Sequence, residues 1–128
     1  MKELYVYFVC LLYGYLIRTK EIHWSTDSNS THKLCDEIYD GLDDFMDRFA
    51  EASQGVAGAH FKSESIKPVL PNSTELIPML KELNEDVLGT SERLSGKEER
   101  GLVNIIDDIA EFSNKYVYRA TQCVRPHD

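Results

Sequence analysis

The chain has 128 residues, is 42% hydrophobic, and carries 14 Lys+Arg against 22 Asp+Glu for a formal charge of -8. That length fits one domain with one core, read as a single unit over 1–128. An acidic balance without clustered cations argues against a DNA or RNA phosphate partner and suits a protein that attracts metal cations.

The three cysteines, Cys10, Cys35 and Cys123, are odd in number and widely spaced, with no C-x-x-C pair. They read as reduced thiols of a cytoplasmic protein, not as a disulfide frame or a zinc site. The apolar run from Tyr5 to Ile17 is followed by Arg18, Thr19 and Lys20, not by a small-residue cleavage site. It is also short for a bilayer span. A buried helix is expected there, with no membrane partner. The Asn72-Ser73-Thr74 sequon then carries no sugar.

Four helical segments are expected, and no strand pattern competes. The first covers about 2–26, with Leu4, Phe8, Leu11, Tyr15 and Ile22 on one apolar face. The turn and cap formers Asp27-Ser28-Asn29-Ser30-Thr31 end it. The second covers about 31–54, with Leu34, Ile38, Leu42, Phe45 and Phe49 inward. Gly55-Val56-Ala57-Gly58 is expected to break it. A long connection over 55–73 follows, in which Pro68 and Pro71 prevent a continuous helix. A short helix is possible near Ser63 to Val69.

The third helix is expected over about 74–91, with Leu76, Leu80, Leu83 and Val87 inward. Pro78 is tolerated only in its first turn. The fourth, over about 96–123, begins at a capping box, Ser95-x-x-Glu98, and turns Leu102, Ile105, Ile109, Phe112 and Tyr116 inward. Pro126 stops the tail Val124 to Asp128. Two helices, a long crossover and two more helices define an all-α, ferritin-like four-helix bundle.

The chemistry concentrates on the second helix. His32 to Asp36 and Asp47 to Glu51 are both i,i+4 steps, and the step of eleven residues from Asp36 to Asp47 is close to three turns. One stripe therefore presents an imidazole and three carboxylates on the face opposite the apolar one. Nitrogen and carboxylate oxygen together suit Fe, Mn or Zn better than Ca or Mg. Asp40 and Asp43 share that face, so a solvated acidic surface is the plainer reading. A site there points away from the subunit's own core and needs a covering surface, such as a second copy of the chain.

His23-Trp24, at the end of the first helix, resembles the His-Trp of the Dps family, the mini-ferritins. His32, Asp36, Asp47 and Glu51 match that family's H-x3-D-x10-D-x3-E pattern, and Gln54 to Gly58 is similar to its Gly-rich helix exit. The similarity covers about residues 15 to 58, and the second half agrees in helix layout alone. The two histidines are nine residues apart here, where the family spaces them about twelve apart. The resemblance implies a ferroxidase site between two subunits. One would supply His23, His32 and Asp36, and the other Asp47 and Glu51. It further implies iron as the metal, with Zn or Mn as alternatives, and hydrogen peroxide or dioxygen as oxidant. Two-fold dimers would assemble into a dodecamer that stores ferric mineral. Trp24 and Tyr39 would quench radicals, though packing is their default role. Asp40, Asp43, Asp107, Asp108 and Glu111 would line pores or nucleate mineral, though solvated surface is theirs. There is no lysine-rich N-terminal arm of the kind that binds DNA in the family. Two other readings stay open: a non-catalytic shell whose site is degenerate or binds Zn, and a small helical adaptor with an acidic face.

Overall fold

The computed structural model describes residues 2–123, so the tail with Pro126 and His127 lies outside the described residues. Among these the regular structure is helical throughout, in four long helices: α1 (Lys2–Ser25), α2 (Asn29–Ala57), α3 (Leu76–Ser91) and α4 (Arg100–Cys123). Among the described residues, no helix is long and apolar enough to cross a membrane.

α1 and α2 form one helical hairpin and α3 and α4 another; α2 also packs against α4, forming an all-α bundle. α1 differs from its expected single apolar face. Besides Leu4, Phe8, Leu11, Tyr15 and Ile22, it buries Tyr5, Val9, Leu12, Leu16 and Thr19. It is nearly apolar all round, as a helix covered on several sides must be. α2, α3 and α4 keep the expected stripes, with one adjustment. Phe45 and Phe112 are only half-buried and meet edge to face, with ring centroids 5.3 Å apart.

The helix ends follow local chemistry. Ser28 is the N-cap of α2, and its hydroxyl accepts from the Thr31 N–H at 3.2 Å. α2 therefore starts two residues earlier than expected. It also runs through Gly55, and the break falls at Gly58, which takes the left-handed conformation (φ 69°) and donates its N–H to the Gln54 carbonyl. Any residue tolerates the helical φ at Gly55, whereas the turn at Gly58 favours glycine. Pro78 is the third residue of α3, inside the first turn. The expected Ser95/Glu98 box is displaced by one residue. The Gly96 N–H donates to Glu99 Oε1 at 2.9 Å, and the Glu99 N–H donates back to the Gly96 carbonyl at 3.0 Å. Glu99 is the residue that the core can hold there, because its carboxylate also accepts from the buried Tyr5 hydroxyl. A 3-10 turn at Lys97–Glu99 leads into α4.

Residues 58–75 connect the hairpins. The expected short helix is only a 3-10 turn, Ser63–Ser65. Beyond it the segment lies along α1. The Val69 N–H donates to the Cys10 carbonyl at 3.0 Å, and Arg18 Nη1 donates to the Ser73 carbonyl at 2.6 Å. The Asn72 and Ser73 N–H groups donate to the Glu82 carboxylate at 2.8 and 2.9 Å. Burial works to raise the Glu82 carboxyl, but these hydrogen bonds outweigh it and hold the group below the ordinary range. Contact with α1 is close at Gly14, where a Cβ would fall 1.7 Å from the Val69 carbonyl oxygen.

Candidate metal centre

Three residues, 26–28, separate α1 from α2, so the last turn of α1 lies beside the first turn of α2. His23 is on the former and His32 on the latter, with Asp36 one turn further along α2. His23 Nδ1 lies 3.1 Å from the His32 carbonyl, and His32 Nδ1 lies 3.0 Å from the His23 carbonyl. A carbonyl only accepts, so each Nδ1 carries the proton and donates. In the neutral ring the lone pair then sits on Nε2. The rings stack with centroids 3.8 Å apart and planes 28° apart. The His23 carbonyl belongs to the last turn of α1, where carbonyls lack helical partners, so His32 also caps that helix.

Asp36 completes the group. Its Oδ1 is 3.5 Å from His23 Nδ1. One ligating atom from each of His23, His32 and Asp36 lies within 4.8 Å of the others. The His23 side chain is 13% exposed and that of Asp36 61%, so the cluster has an anchored side and an open side. A ligating imidazole usually donates its other N–H to a carbonyl or carboxylate, which fixes its tautomer and orientation. Both imidazoles here have that arrangement. Two imidazoles and a carboxylate fit Fe(II), Mn(II) or Zn(II).

Asp47 and Glu51 are exposed on the same helix, eleven and fifteen residues past Asp36, which is about 16 and 22 Å along the axis. A single chain thus brings together His23, His32 and Asp36 and leaves Asp47 and Glu51 apart from them. Trp24, next to His23, is 73% exposed. Asp40, Asp43, Asp107, Asp108 and Glu111 are all exposed, and Asp108 pairs with Arg48 at 3.3 Å.

Cys35 is buried beside Asp36, and burial foremost, then the Asp36 charge, pushes its thiol up to about 11. It stays protonated at neutral pH. One neighbour escaped the sequence reading. The Lys20 ammonium sits 4.4 Å from the centroid of the Tyr39 ring, closing the α1–α2 seam one turn beyond the cluster. Its i-3 spacing from His23 was the available signal. His60 lines an open groove of about 370 Å³ together with Glu51. There the Gln54 side chain accepts the Phe61 N–H at 2.8 Å and folds the loop back; nothing in the spacing announces that.

The chain is therefore an all-α four-helix protein with a preformed two-histidine, one-aspartate cluster. Residues 23–119 match the family described as a family of unknown function, DUF5856. That span exceeds half of the chain, which belongs to this family. It begins at His23 and takes in all five residues of the proposed ligand set. No curated protein and no solved structure matches the chain.

Proposed function

We propose that this protein is a Dps-like mini-ferritin that takes Fe(II) as substrate, oxidises it with hydrogen peroxide or dioxygen and stores the ferric product. The observation that carries the reading is the His23/His32/Asp36 cluster, with both imidazole tautomers set by backbone carbonyls. Asp47 and Glu51 from a two-fold partner would complete the centre. Their exposure on the face away from the core supports that arrangement. A connection that runs back along α1 between two helical hairpins supports a ferritin-like crossover. Closure of the shell as a dodecamer belongs to the same proposal, as does work in a reducing cytoplasm, in keeping with three free thiols.

In this reading the imidazoles hold Fe(II) without trapping it, and the carboxylates favour the ferric product. Two Fe(II) give up two electrons to one peroxide, which takes two protons and leaves as two waters. The chain's own part is to orient the donors and to keep the protons on Nδ1 of both rings.

A second reading, a non-catalytic Zn-binding protein, is favoured by one observation: the three-residue cluster is complete within a single chain. Anaerobic protein mixed with Fe(II), with and without peroxide, decides between them. Rapid oxidation that is lost in Asp47→Ala/Glu51→Ala and in His23→Ala/His32→Ala is expected. Oxidation no faster than in buffer, with one Zn(II) bound per chain through the histidines, would establish the second reading.

A further inference from the structure

A groove opens between the first half of α1 and the connecting segment, on a different part of the molecule from the histidine cluster. Val6, Tyr7, Phe61 and Val69 give it apolar walls, and Lys62 and Lys67 also line it. Its volume is about 470 Å³, within the range of roughly 300–1,000 Å³ typical of small-molecule sites. Tyr7 is 49% exposed, a large ring left open to solvent at the groove.

The groove is built and held. Cys10 joins its floor to its far wall. The Cys10 carbonyl accepts the Val69 N–H at 3.0 Å, its sulfur accepts the Lys67 N–H at 3.4 Å, and its thiol faces the Ser65 carbonyl at 3.5 Å. The missing side chain at Gly14 lets the wall sit directly on α1. The lining lysines are a local exception in a chain of formal charge -8. Among the described residues, neither Lys62 nor Lys67 takes part in an ion pair. Glu3 also lines the groove, from α1, and has an interaction of its own; Lys62 and Lys67 on the connecting segment outnumber it, so the lining keeps a net positive charge on their side. An apolar trough beside two unneutralised ammonium groups is complementary to one kind of molecule: an apolar chain ending in an anionic head.

We propose that this groove binds a single-chain fatty carboxylate, its tail between Val6, Tyr7, Phe61 and Val69 and its head at Lys62 and Lys67. The site is independent of the metal reading, which uses other residues at another place.

The test is calorimetric titration of the full chain with dodecanoate below its micelle concentration, with amide NMR shifts read in parallel. Dodecanol supplies the same tail without the charge. Saturable binding of dodecanoate, with shifts in the N-terminal half of α1 and in residues 61–70, is the expected result. Lys62→Glu/Lys67→Glu is expected to weaken it roughly tenfold, as loss of two exposed charge contacts would. Val6→Trp fills the trough from a half-buried position and is expected to abolish binding, with the melting temperature showing that the variant is folded. Absence of saturable binding overturns the proposal. So does dodecanol binding as tightly as dodecanoate, or an affinity indifferent to the lysine reversal.

Discussion

Gly14 and Gly55 show how differently one residue type is used in this chain. At Gly14 a Cβ would meet the Val69 backbone at 1.7 Å, and backbone cannot step aside as a side chain can. At Gly55, inside α2, a Cβ would find nothing within 4 Å. Gly14→Ala is expected to destabilise by about 2–3 kcal/mol through overpacking and loss of the docked segment. Gly55→Ala is expected to stabilise by about 0.5–1 kcal/mol through helix propensity. Urea unfolding of both variants checks the pair, and equal effects would mean that the segment is not docked on α1. Gly41 is intermediate. The Phe112 ring lies where its Cβ would be, at 2.3 Å, and a ring can shift more readily than backbone.

Among the elements, α1 is tied to α3 and to the start of α4 through two titratable phenols. Near one end, the Tyr5 hydroxyl donates to the buried Glu99 at the start of α4. Further along, the Tyr15 hydroxyl donates to Asp86 on α3 at 2.5 Å. Burial foremost, then the Glu99 hydrogen bond, pushes Tyr5 from its ordinary 10 up to about 12. Burial and Asp86 push Tyr15 further in the same direction. The folded state thus prefers the protonated phenols. The contribution of Tyr5 is complete below pH 10 and is lost as pH rises through about 12, and that of Tyr15 persists to higher pH. Urea midpoints measured across that interval are expected to fall for the wild-type chain and to fall less for Tyr5→Phe. Parallel curves for the two would show that Tyr5 ionises as freely folded as unfolded.

α1 was also the least legible element in the sequence. A helix buried on most sides has weak periodicity, so its existence was readable but its packing was not. α2 and α4, with one wet face each, were readable down to single residues: Leu34, Ile38, Leu42, Ile105 and Ile109 are all buried as expected. Element ends were missed where the deciding contact is distant in sequence. Glu99 rather than Glu98 caps α4 because Tyr5, ninety-four residues away, receives it. In the candidate site, the spacing of His32 and Asp36 was enough to put them on one face. The pairing of each ring with the other's carbonyl depends on the turn 26–28 and has no signature in spacing.

For the whole molecule, the proposed centre makes assembly and chemistry inseparable, because Asp47 and Glu51 would come from a neighbour. Placing a large cation on the partner half, Asp47→Arg, is expected to cut Fe(II) oxidation at least tenfold and to reduce the population of high-mass particles seen by mass photometry. Particles that persist unchanged with full oxidation would remove Asp47 from any shared centre. The charge of -8 bears on the same scale. It draws cations toward the surface generally, while the lysine-lined groove beside α1 is where an anion would be received.

The segment from 58 to 75 is the sole covalent bond between two helical hairpins, each of which carries its own turn. Most of what unites them is not that bond but side chains that cross from one hairpin to the other, such as Thr19 with Met79 and Tyr15 with Asp86. A peptide bond cut near the 3-10 turn would leave both turns intact and sacrifice mainly the entropy of keeping the ends together. The fold is in this sense a heterodimer written as one polypeptide, and its two halves are natural partners for reconstitution as separate chains.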